Sequence, residues 1–251
     1  MMTEAKKEVG RKRLPDDSSE SPHLGLLLDK YMQWKETEKD GQKVFEPLRS
    51  EHVELITQKG NSHDLYKKFY TIWENQLKAS DATTKLAQTS GRMIIGMGNE
   101  AVLENSVTLH RTYGVPYIPG SALKGLTAHY TRKVLTPEQH KELFGDTTLS
   151  GLVTFFDALP ETFKLHQDIM TPHHQDYYSG KKENNQLVPP ADWDDPNIIP
   201  WISVSGTFLL ALKGPKDWVD VTWDLLGRAL KDEGVGAKTS SGYGRMDIKV
   251  V

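Results

Sequence analysis

The sequence predicts an α+β domain over residues 91–251, in the order strand, helix, strand, strand, helix, strand. Three observations carry this. Residues 201–214, WISVSGTFLLALKG, place Ile202, Val204, Gly206, Phe208, Leu210 and Leu212 on one face of an extended chain. Residues 217–232 then carry Val219, Trp223, Leu226 and Leu230 at spacings of 4, 3 and 4, the stripe of a helix buried on one side. The same pairing occurs upstream. An extended run ends at Ile118, Pro119-Gly120 turns, and Leu123, Leu126, Tyr130 and Val134 follow at spacings of 3, 4 and 4.

Each element can be justified in chain order. Residues 1–22 hold almost no apolar mass, so a disordered tail is expected. Its basic run, Lys6 to Arg13, either touches RNA or is solvated. Residues 23–90 are expected to form an N-terminal helical elaboration, with helices over 24–38 and 62–79. In the second, Leu65, Phe69, Ile72, Trp73 and Leu77 recur at helical spacing; the polar stretch between the two stays unassigned.

RMIIGMG (92–98) is expected as the first strand, and 106–118 continues extended. Ser121 stands where a helix N-cap belongs. Pro137 opens a short second helix that ends at Phe144-Gly145, and GLVTFFDAL (151–159) is a strand. Residues 160–200 contain Pro160, Pro172, Pro189, Pro190, Pro196 and Pro200 and are expected as an irregular insertion, functional or disordered. In the last strand Gly244, Met246, Ile248 and Val250 alternate with Tyr243, Arg245, Asp247 and Lys249. The order is that of a ferredoxin-like (RRM-like) βαββαβ fold, a four-stranded antiparallel sheet with two helices on one face. The first and last strands are not expected to be neighbours.

Bulk composition narrows the function. The net charge of −3 excludes a whole-chain basic signature, so a nucleic-acid surface must be local. The absence of cysteine removes disulfides, thiolate zinc sites and cysteine nucleophiles. No apolar stretch approaches the roughly 18 residues of a membrane span, and the N-terminus has no signal-peptide core. A soluble cytoplasmic protein without membrane partners is expected.

Two stretches suit a bound anion. In VPYIPGSALKGLTAHY (115–130), a helix N-terminus offers unpaired N–H groups and partial positive charge beside Lys124, Gly120 and Gly125. The alternative is a capped helix start with a solvated lysine. In GVGAKTSSGYGR (234–245), four glycines, Lys238, Thr239 and two serines separate a helix end from a strand. Gly234 suits the helix C′ position. The others exceed what one turn needs and can form an anion-binding nest or a flexible loop. No GK[ST] precedes a helix, so a P-loop is not indicated.

With these motifs the chain resembles the RAMP superfamily of CRISPR effector proteins. The likeness rests on IPGSALKGLTAHY, close to that family's Pro-Gly-Ser-Ser-Leu-Lys-Gly signature, and on GVGAKTSSGYGR. It spans about residues 91–251. GNEAVLENSVTLHRTYGVPYIPGSALKG, LFGD, GLVTFFDALP and DIMTPHHQDYYSG resemble the sixth-subunit family of the type III-B Cmr complex. Ala122 departs from the signature and removes one hydroxyl. The resemblance implies a non-catalytic RNA-binding subunit in antiviral defence. Such a subunit would hold guide (CRISPR) RNA near its 3′ end, with target RNA nearby, and pack on other RAMP subunits. The residues it places on RNA are Gly120, Ser121, Lys124, Gly125, Gly236, Lys238, Thr239, Ser240 and Arg245. No cofactor is expected.

Other polar clusters carry weaker signals. Asp168, His173, His174 and Asp176 lack the spacing of a metal site, so no metal is expected. Tyr177 and Tyr178 either stack on bases or belong to local core. His110 and His129 are the candidates for the alternative function, a metal-independent endoribonuclease. The aromatic RNP1 pattern is absent, so RNA is expected along loops and not across the strands.

Overall fold

The computed structural model describes residues 23–249, apart from 33, 40, 41, 61, 100, 102, 104, 172, 184, 195 and 197. The expected tail over 1–22, and Val250 of the last strand, lie outside the described residues. The architecture is α+β. Its centre is one strand, β8 (Ile199–Lys213), buried over nearly its whole length. On one side it pairs antiparallel with β3 (Thr83–Thr89), which pairs in turn with β9 (Met246–Ile248). On the other side it pairs with β5 (Leu159–Met170) and, at its far end, β4 (Thr154–Phe155). The strand order is therefore β9-β3-β8-β5, all antiparallel.

Alternation along β8 feeds two layers. Ile202, Val204, Phe208, Leu210 and Leu212 enter the main core with Val219, Trp223, Leu226 and Leu230 of α7 (Lys216–Asp232) and Leu123 of α4 (Gly120–Thr131). Leu209 and Ala211 face the other way, against Leu77 and Trp73 of α3 (Asp64–Ala79). Both faces are thus covered, and a side chain such as Phe208, fully buried, contributes about 1.5–3 kcal/mol. Trp223 also donates its indole N–H to Thr83 Oγ1 at 2.8 Å, tying α7 to the start of β3. The short helix α5 (Pro137–Phe144) opens with the expected proline, and Thr136 and Gln139 form a capping box.

Several expectations are corrected. The first helix, α1 (Leu24–Lys30), is short, and the chain next forms a hairpin of β1 (Trp34–Lys39) and β2 (Gln42–Pro47). The unassigned region holds α2 (Arg49–Lys59). On α3 the buried positions are Tyr66 and Leu77, whereas Leu65 and Ile72 are exposed. RMIIGMG is not a strand: only Met93 bridges Val204, and the first strand is TTKLAQT (83–89). The first and last strands are neighbours after all, with Ala87 opposite Ile248. Within 106–118 there are only isolated bridges, Leu109 to Pro116 and Ile118 to Ala158. The strand expected over 151–159 is reduced to Thr154–Phe155.

Residues 160–170 are strand and not loop. Pro160 sits at a register shift of an edge strand, where a missing N–H is tolerated. The irregular arm is therefore 171–198, with α6 (Gln175–Tyr178) and the two-residue strands β6 (Lys182–Glu183) and β7 (Gln186–Leu187).

His52, on α2, is fully buried, and that burial lowers its pKa against a weaker opposing pull from the Leu27 backbone. The unfolded chain therefore binds more protons than the fold below pH about 6.5, and stability falls as pH falls through that point. Burial lowers His110 and His166 with the same sign. Urea midpoints are expected to drop between pH 7.5 and 5.5, and His52→Leu to flatten part of that drop. An unchanged slope in His52→Leu would assign the proton uptake to other groups.

Candidate nucleic-acid interface

The glycine loop is laid against the segment that follows β3. Gly234 ends α7, with φ +81 and its N–H on the Ala229 carbonyl at 3.0 Å. Ala237 N donates to Ile94 O at 2.8 Å, and Gly244 N to Arg92 O at 2.8 Å. A Cβ at Gly236 would stand 2.1 Å from the Ile94 carbonyl oxygen, on a backbone already at φ +99. Close backbone approach, more than anion binding, accounts for that glycine. Lys238, at φ +55, leads into a 3₁₀ turn at Thr239–Ser241. Its ammonium lies 4.7 Å from the Trp201 ring centre and 3.3 Å from Met170 Sδ. Ser240, Ser241 and Gly242 form the exposed rim, with Thr239 half-buried.

Beneath the rim, Asp168 is a hub. It pairs with the Arg92 guanidinium, accepts from Ser203 Oγ at 2.6 Å, and accepts from the Tyr243 hydroxyl at 3.1 Å. Burial and the Asp168 charge both push the Tyr243 phenol up. Arg92, Ser241, Gly242 and Tyr243 line an open cavity of about 300 Å³. Arg245, from the same motif, turns away. Its Nη1 donates to the Lys231 and Asp232 carbonyls at 2.7 and 2.6 Å, which fixes it at the C-terminus of α7, where positive charge is favoured. Arg92, Trp201 and Tyr243 escaped the sequence reading as site residues, and Asp168 was weighed there only as a metal ligand. Arg92 and Asp168 lie 76 positions apart, and no local pattern joins them.

The start of α4 differs from the expectation. Pro119, not Ser121, holds the N-cap position, and no side chain of its own caps the helix. Asp157 does so from the β4–β5 connection, accepting from Gly120 N at 2.7 Å. Gly120 is the close-approach glycine: its Cβ would lie 2.3 Å from the Phe155 carbonyl oxygen. Gly125 has nothing within 4 Å of an added Cβ. Lys124 is half-buried and lines a cavity of about 590 Å³ with Ser121, Asp146, Thr148 and Ser150. Asp146 accepts from Lys141 Nζ at 2.7 Å and from the Thr148 and Leu149 amides at 2.7 and 2.9 Å. The Lys141 bond, then those from Thr148 and Leu149, holds its carboxyl far below the usual range.

This chain's own carboxylates therefore meet much of the positive character at the helix start. The two anion-suited stretches also stand apart. Phe155, against Gly120, pairs with Leu212, whereas Lys238 covers Trp201. Eleven residues of β8 separate those positions, about 36 Å of strand.

The family model of the RAMP superfamily matches residues 87–247. The Cmr6 subunit of the CRISPR system Cmr of Pyrococcus furiosus is 34% identical across 74% of this chain and 73% of its own length. The chain belongs to the RAMP superfamily, in its Cmr6 family. The Cmr6 subunit of Saccharolobus solfataricus is 28% identical over 65% of this chain and 56% of its own. In the cryo-EM structure of the type III-B Cmr-beta bound to cognate target RNA, one chain superposes with a TM-score of 0.66. It is 22% identical and covers 80% of this chain and 71% of itself, a likeness of fold.

Other residues of this RAMP protein fall as follows. Among the described residues no group of three or more His, Asp or Glu is placed to hold a metal. His174 Nδ1 bonds Asp194 at 2.9 Å instead. Tyr177 and Tyr178 are exposed and so are not local core. His110 sits among the rings of Phe69, Tyr113 and Tyr117, with Nδ1 accepting from the Thr112 amide at 3.2 Å. His129 is exposed on α4. No helix among the described residues is long and apolar enough to cross a membrane.

The two glycines of α4 give opposite expectations. Gly120→Ala is expected to destabilise by about 1–3 kcal/mol, the range for overpacking. Gly125→Ala is expected to stabilise by about 0.5–1 kcal/mol through helix propensity alone. Chemical denaturation of both variants checks this, and a loss in Gly125→Ala would restore a packing role to that position.

Proposed function

We propose that this chain is a non-catalytic subunit of a type III-B Cmr complex, holding guide RNA with the glycine-loop end of its sheet. The observation that carries the reading is the match to Cmr6 over three quarters of the chain. The strand order β9-β3-β8-β5, with α4 and α7 packed on one face, supports the ferredoxin-like form of the RAMP fold. The RNA contact rests on the rim at Lys238, Thr239, Ser240 and Ser241, together with Arg92. This arrangement offers cations, hydroxyls and backbone to phosphates, as suits a guide of variable sequence. The start of α4 is the weaker contact, because Asp157 already occupies Gly120 N. Contact near the guide's 3′ end, with target RNA nearby, and packing on neighbouring RAMP subunits complete the reading.

The non-catalytic assignment draws on His110, whose Nδ1 and ring faces are engaged within the chain. Neither a hydrogen bond nor a ring contact joins His110 to His129 among the described residues. The test is reconstitution with guide RNA and the other Cmr subunits, followed by photocrosslinking. Lys238→Ala is expected to reduce RNA crosslinking for every guide sequence alike and to lower the salt slope of RNA retention by about one. Lys124→Ala is expected to have the smaller effect. A complex that assembles fully without this chain overturns the subunit reading. Unchanged crosslinking in Lys238→Ala overturns the RNA contact. RNA cleavage that survives chelator and disappears in His110→Ala or His129→Ala would establish the endoribonuclease.

A further inference from the structure

The arm at 171–198 leaves the sheet at Met170 and returns at Ile199, which are paired, so its base is closed. Met170 Sδ also touches Lys238, which sets that base beside the glycine loop. The arm is cross-braced internally. His174 and Asp194 bond across 20 residues, Asp194 also accepts from Ala191 N at 3.1 Å, and β6 pairs with β7. Trp193 is nevertheless 86% exposed, Tyr178 78% and Tyr177 44%. Large aromatic rings in open water are a feature of interaction sites, where Trp, Tyr and Arg dominate the binding energy.

Charge decides what covers them. The arm carries five carboxylates (Asp176, Glu183, Asp192, Asp194, Asp195) against Lys181 and Lys182. Its net charge is −3, the whole of the chain's net charge. Elsewhere 29 basic residues, 31 less 2, balance 29 acidic ones, 34 less 5. Lys181 is itself taken up by Asp176 at 2.6 Å and Glu183 at 3.7 Å. Single-stranded RNA needs aromatic platforms in a positive groove; these stand on a segment of net negative charge. A membrane surface calls for Lys and Arg in the same way. Asp192 and Trp193, adjacent and both exposed, have the chemistry that receives a guanidinium: an indole face for stacking and a carboxylate for charge-assisted hydrogen bonds.

We propose that the 171–198 arm is a docking surface for an arginine-bearing segment of a neighbouring protein subunit, with Trp193 and Asp192 receiving the guanidinium. The inference rests on the subunit reading above. The experiment uses the complex reconstituted from the full chain, guide RNA and the other Cmr subunits, with p-benzoylphenylalanine in place of Trp193. The expected adduct is to an arginine-containing peptide of another protein subunit. An adduct to RNA, an adduct to a second copy of this chain, or no protein adduct overturns the proposal.

In parallel, Trp193→Ala and Asp192→Lys are each expected to weaken incorporation about tenfold, equivalent to about 1.4 kcal/mol. Neither is expected to shift the melting of the isolated chain, because both replace exposed residues. Normal incorporation of both variants overturns the proposal while leaving the subunit reading intact. Failure of the unmodified chain to incorporate overturns that reading itself.

Discussion

Strand β8 is paired along both edges and covered on both faces, and the remaining elements take their positions from it. A buried strand must satisfy every backbone N–H and C=O through neighbours. That requirement brings β3 against residues 207–212 on one side and β5 against residues 199–209 on the other, with β4 at residues 212–213. The chain needs a covering layer on each face, which α7 and α4 supply on one side and α3 on the other. The functional candidates stand where this ladder ends. At one end the chain turns through Gly214 into α7; at the other the arm and the glycine loop meet around Trp201.

The two ends differ in how their charge is satisfied. At the α4 end the chain provides its own anions: Asp157 on Gly120 N, and Asp146 gathering Lys141 and two loop amides. At the glycine-loop end Asp168 lies below the surface, with its oxygens shared among Arg92, Ser203 and Tyr243. The rim above presents Lys238, hydroxyls and backbone. Asp168 neutralises part of Arg92 and holds its guanidinium in place. A long cation held by a partner loses less side-chain entropy when it meets a phosphate.

Legibility in the sequence followed from how much each element buries. The β8 and α7 stripes were readable because one whole face of each is apolar and buried, and the α5 boundaries followed from Pro137 and Gly145. β3 was not, since only Ala87 and Thr89 are fully buried and Lys85 spends its charge over the Trp223 ring at 5.1 Å. Met93, Ile94 and Ile95 misled in the opposite sense: they are buried but not laddered, because the glycine loop takes the Arg92 and Ile94 carbonyls. β5 was concealed by Pro160 and by its mixed polarity as an edge strand. The glycine motif was visible, but its cause was not, because the atoms that exclude a side chain at Gly236 belong to Ile94. For the same reason Arg245 read as an RNA contact although it closes α7.

Near-neutrality outside the arm limits how RNA could be held under the proposed reading. A chain with balanced charge supplies little long-range attraction, so RNA retention of the kind proposed would rest on a few phosphates met at short range within an assembled path. The arm sharpens this, because its base meets the rim at Met170 and Lys238. At physiological salt, charge is felt over about 8 Å, so under the proposed reading the arm's carboxylates would act only on phosphates that approach the arm itself. RNA held at the rim in the way proposed would leave the aromatic side of the arm to protein. One acidic segment beside a rim bearing Lys238 and Arg92 would thus keep the two proposed kinds of contact separate at a single end of the sheet.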